Sequence, residues 1–171
     1  MDSSTDPVLQ KFVHNLEELA KHYKLLLENV SGEKNLLIQA DLEKINQNNS
    51  AKDILIQKIK LIDLSREKHA RELALAIGAN ADAPRLLELA TKLDLRSAEA
   101  LKRIHATLES LVRKVSELNK ENEEYAEGAL RNLNGSLSEI KETLSGKKNY
   151  DKKGKLSQGP DKAGNFASKE A

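Results

Sequence analysis

The sequence predicts an all-α protein: an elongated antiparallel helical bundle or coiled coil of three long helices, with a disordered C-terminal tail. Three observations carry this. Apolar residues recur at spacings of three and four along most of the chain, the mark of a coiled-coil seam. The composition is 32% charged and 3% aromatic, with no Trp and three Pro in 171 residues, which suits long helices rather than sandwiches or α/β folds. The core must therefore be built from Leu, Ile, Val and Ala, and a thin core of this kind exposes much surface per residue.

The first helix opens at Asp6-Pro7, because Asp caps helices and Pro at the first helical position sacrifices no hydrogen bond. Its seam runs Leu9, Phe12, Leu16, Leu19, Tyr23, Leu26 and Val30. Ser31-Gly32 interrupts the pattern, but the register resumes at Leu37 and Ala40, so one helix is expected to about residue 39. Asp41 reads as the N-cap of a second helix that starts with Leu42 and Ile45. The run from Asn46 to Ser50 has low helix propensity and predicts a weakly packed turn of helix or a kink. The seam returns at Leu55, Ile56, Ile59, Ile62, Ala70, Leu73 and Ile77, and Gly78 is a candidate terminator. Asn80 to Pro84 reads as a loop, and Arg85 to Leu93 as a short helix or an entry turn. Ser97 is the expected cap of the long last helix, which should end near Ser145-Gly146.

That last helix carries two stripes. Leu101, Ile104, Leu108, Leu111, Val115, Leu118, Asn122 and Tyr125 form the first. Leu130, Leu133, Leu137, Ile140 and Leu144 form the second, one residue out of step. One residue of slip turns a helical face by about 100°, so the two stripes look in different directions. At ~1.5 Å per residue the last helix would reach about 70 Å and the first two about 50 Å. The last helix must then overhang, or bend at Gly128 or Asn134-Gly135. The second stripe either packs on the first helix around Val8, Leu9 and Phe12, or docks an amphipathic helix of another protein. Asn122, with Asn119 one turn before it, either fixes the register of the bundle or offers hydrogen bonds to a bound backbone.

The chain divides by composition into a helical domain, residues 7–146, and a basic tail, residues 147–171. The tail holds seven Lys and three acidic residues, a net of +4 against +1 for the whole chain. Signs mix along the helices, so no basic stripe suggests nucleic acid. No apolar run approaches the roughly 20 residues of a membrane span. Met1 to Pro7 lacks the pattern of a secretory signal. The expected location is the cytoplasm.

The residues point to a protein that is not an enzyme. There is no Cys, which removes thiol chemistry and Cys-zinc sites. His14, His22, His69 and His105 are isolated, without His-Glu-x-x-His spacing or the neighbours of a phosphotransfer site. No glycine-rich phosphate loop and no Gly-x-Ser-x-Gly is present. Neither a cofactor nor a metal is expected.

Three segments share their order and spacing with a known family. Leu36-Leu37-Ile38-Gln39-Ala40-Asp41-Leu42-Glu43-Lys44-Ile45 resembles the junction of the first two helices of FlgN-type flagellar export chaperones. Leu118-Asn119-Lys120-Glu121-Asn122, followed by Ala129-Leu130, is similar to the stretch before that family's C-terminal amphipathic region. Tyr150-Asp151-Lys152-Lys153-Gly154-Lys155 resembles the tail that follows, although this tail is longer and richer in Lys than expected. The resemblance covers about residues 8 to 156. It implies a cytoplasmic chaperone that binds the C-terminal helices of hook–filament junction proteins, keeps them unassembled and delivers them to the type III export gate. It further implies a client face of Leu130, Leu133, Leu137, Ile140 and Leu144, and Tyr150 as a contact for the gate component. A chaperone of this kind should be a monomer or weak homodimer. The competing reading is a structural coiled-coil homo-oligomer or scaffold with no export role.

Overall fold

The computed structural model describes residues 5–144. They form four helices: α1, Thr5–Gln39; α2, Leu42–Ala76; α3, Leu86–Thr91; and α4, Leu95–Leu144. The three long helices have 35, 35 and 50 residues, and α3 is a short helix, one of the two expectations for Arg85 to Leu93. The tail at 147–171, with Tyr150, lies outside the described residues. The chain divides into two compact units, one ending at Tyr125 and the other starting at Ala126.

In the first unit α2 runs antiparallel to α1 and α4. Asn15 meets His69 while Glu33 meets Lys52, so α1 and α2 run in opposite senses. Asn122 reaches Val30, and Leu101 packs in the cluster of Leu9 and Phe12, so α4 runs alongside α1 in the same sense. Two apolar clusters follow from the seams. Phe12, Leu16, Leu73, Leu89 and Leu101 are all essentially inaccessible and draw on all four helices. The second cluster is smaller: Leu19, Leu26, Val30 and Ile59 are buried, with Leu55, Ile62, Val115 and Leu118 half-buried against them. Side chains that each remove a Leu's worth of area from water contribute about 1.5–3 kcal/mol apiece.

The helix ends mostly follow the sequence. The Asp41 carboxylate accepts the Lys44 N–H at 3.1 Å, which caps α2 as expected. Between α1 and α2 only Ala40 and Asp41 intervene, and Ala40 takes the left-handed conformation at φ 51° that lets the chain reverse. Gly78 stops α2 at φ 66°, where a Cβ would be strained.

Two local expectations are corrected. α1 begins at Thr5, so Asp6 and Pro7 fall within its first turn rather than before it. The cap of α4 is Asp94, not Ser97: the Asp94 carboxylate accepts the Ser97 N–H at 3.1 Å. Burial of Ala98 draws the helix one turn earlier than its seam suggested. The Asn46–Ser50 run is a weakly packed turn of helix, as expected: it stays inside α2 and is mostly exposed, with Asn29 of α1 donating to the Asn48 backbone carbonyl (3.2 Å) and side-chain oxygen (2.9 Å).

Candidate functional site

The five positions of the second stripe are placed on the second unit, in the helical stretch from Ala126 to Leu144. Their spacing of three and four puts them on one side of the helix. All five are exposed: Leu130 60%, Leu133 57%, Leu137 47%, Ile140 54% and Leu144 68%. The backbone beneath them is helical as far as Leu144, so this face is mainly aliphatic. The polar flank is self-contained, with Arg131 paired to Glu127 at 3.4 Å and the Thr143 hydroxyl donating to the Glu139 carbonyl at 2.8 Å. Such a surface associates through apolar burial, with little chemistry of its own.

The Asn pair belongs to the first unit. Asn122 is buried, and its Nδ2 donates to the Val30 carbonyl at 2.9 Å and to Glu33 Oε2 at 3.2 Å. Lys52 Nζ donates to the same carboxylate at 2.6 Å and to Asn119 Oδ1 at 3.4 Å. Glu33 and Lys52 are largely withdrawn from water, their side chains 11% and 15% exposed. A buried charge is tolerable when its partners are supplied, and here two donors converge on one carboxylate. The arrangement ties all three long helices together at one level. Asn122 therefore acts as a register element, its amide donors committed within the chain.

The histidines stay apart. His69 Nδ1 lies 2.6 Å from Asn15 Oδ1, and His22 Nδ1 lies 2.8 Å from the Glu18 carbonyl. A cleft of about 570 Å³ between α1 and the start of α4 brings His14, Glu17 and Ser97 together, but no hydrogen bond joins those side chains. No group of three potential metal ligands occurs among the described residues. None of the helices among those residues is long and apolar enough to cross a membrane.

Titration effects lie at structural positions. The Lys44 side chain and backbone N–H hold the Asp41 carboxyl below its usual range. The Ser97 backbone and hydroxyl do the same for Asp94. Burial, with Asp63 nearby, pushes the Tyr23 phenol up.

A family model described as FlgN protein matches residues 1–158. The chain belongs to the FlgN family. Neither a curated protein nor a solved structure matches it. FlgN proteins are chaperones of flagellar assembly and export, and membership assigns that general role to this chain. The FlgN-type reading of the helix junction and of the Leu118–Asn122 stretch thus leads to the right family.

One surface escaped the sequence reading. Ile54, Leu61, Leu64 and Leu75 of α2 are 54%, 65%, 64% and 72% exposed. They lie on the side of α2 opposite Ile59, Ala70 and Leu73, which face the core. The signal was present: α2 has apolar residues at helical spacing on two sides, so its amphipathicity is weak. Reading one seam per helix hid the other.

Proposed function

We propose that this protein is a cytoplasmic chaperone for hook–filament junction proteins. It binds their C-terminal helical segment on Leu130, Leu133, Leu137, Ile140 and Leu144, keeps them unassembled and delivers them to the flagellar type III export gate. The exposure of all five aliphatic side chains carries the reading, joined to membership of a family of export chaperones. A client helix laid along this face would bury its apolar side in the helix-to-groove manner. A reversible partner that covers a polymer-forming surface suppresses assembly by mass action. A single stripe suits such a role, because a small interface permits release. Tyr150 is the proposed contact for the gate component.

The test is co-purification with the C-terminal segment of a hook–filament junction protein. Leu137→Asp and Ile140→Asp should each abolish capture while circular dichroism stays unchanged, since both side chains are already in water. Capture that survives both changes would remove the client from this face.

A further inference from the structure

We propose that Gly128 and Gly135 keep the arm of α4 from Ala126 to Leu144 near its helix–coil balance, so that a partner on the apolar stripe must order the arm as it binds. The balance is a property of the arm alone; its effect on a partner rests on the client reading. Both glycines lie inside α4, where glycine is the least favourable residue after proline. Nothing in the fold requires them there. A Cβ at either position would meet no atom within 4 Å, and neither glycine takes a positive φ. At about 100° per residue both fall on the side of the arm opposite Leu130, Leu133, Leu137, Ile140 and Leu144, so they make no room for a partner on the stripe either.

Their neighbours push the same way. Asn132, Asn134, Ser136 and Ser138 are weak helix formers too, whereas no glycine lies between Leu101 and Tyr125. The contacts of Arg131 with Glu127 and of Thr143 with Glu139 each stay within one turn. The packed part of α4 supplies the helix nucleus, so the arm extends by propagation alone, and its weak formers hold each step near even. A helix poised in this way makes an arriving partner bear the cost of ordering it, which weakens the hold and eases release. Gly32 offers a comparison within the chain. It also meets open space, but it stands between the buried Val30 and Glu33 of α1.

Hydrogen exchange along the full chain, with no partner added, tests the balance. Arm amides should exchange far faster than those from Leu101 to Leu118. Gly135→Ala should slow exchange about two- to fivefold towards Leu144, and Gly128→Ala by a similar factor along the whole arm. Gly32→Ala should leave the arm unchanged. In titration with the C-terminal segment of a hook–filament junction protein, Gly128→Ala combined with Gly135→Ala should tighten binding about tenfold. Arm amides as well protected as the packed part, or an exchange pattern indifferent to both glycines, overturns the proposal. So does slower exchange with unchanged or weaker binding. A segment that neither this double variant nor the unaltered chain binds removes the client reading, and exchange in the free chain then decides the role of the glycines.

Discussion

The two stripes of α4 use the same residue types at the same spacing, and their surroundings differ completely. In the first, Leu101 is fully buried and Asn122 is 4% exposed, covered by α1 and α2. In the second, no aliphatic residue from Leu130 to Leu144 falls below 47% exposure. Periodicity tells where a helix is apolar. It does not tell what covers it. A face that its own chain satisfies contributes to folding, and a bare face is open to association.

The largest effect that can break this comparison is a core truncation. Leu101→Ala should cost about 2–5 kcal/mol, because it opens a cavity where all four helices meet. Leu137→Ala on the bare stripe should change stability by no more than about 0.5 kcal/mol. Chemical denaturation of the two variants measures both, and equal losses would show the second stripe packed in solution. An intermediate loss is expected for Asn122→Ala. It removes two hydrogen bonds from the buried Glu33 level and should cost about 1–3 kcal/mol, again by denaturation.

The smallest effect concerns acid. Asp41 and Asp94 have folded pKa values below those of the unfolded chain, so each stabilises the fold above the ordinary carboxylate range. That contribution fades as pH falls through the depressed values. Asp94→Asn keeps a cap acceptor but cannot titrate. The difference in melting temperature between the unaltered chain and this variant should therefore shrink on acidification, and a constant difference would remove Asp94 from the account.

Much of the fold was legible because long seams need no tertiary information. Leu9 to Val30 and Leu101 to Leu118 each specify a helix and its buried side. The Asp41 cap was readable too, since one carboxylate stands at an abrupt break between two seams. Asp94 and Ser97 were harder: both residue types cap helices, and only the burial of Ala98 decides between them. For the Asn46–Ser50 run the weak packing was legible but its partner was not, because Asn29 lies on another helix. Of the candidate site, the stripe itself was legible and its exposure was not. Exposure depends on what covers a face, which no single seam records.

A helix with apolar residues on two opposite sides is held to one of them less firmly by hydrophobicity alone. α2 is such a helix. Rotated by half a turn, it would hide Ile54, Leu61 and Leu64 and lose only part of its apolar burial. What such a rotation would destroy is the set of polar pairs on its inner side: His69 with Asn15, Asn48 with Asn29, and Lys52 with Glu33. Spread from Asn48 to His69, these pairs work like the teeth of a key. They add little to the strength of the bundle, but they decide which way round its middle helix is inserted.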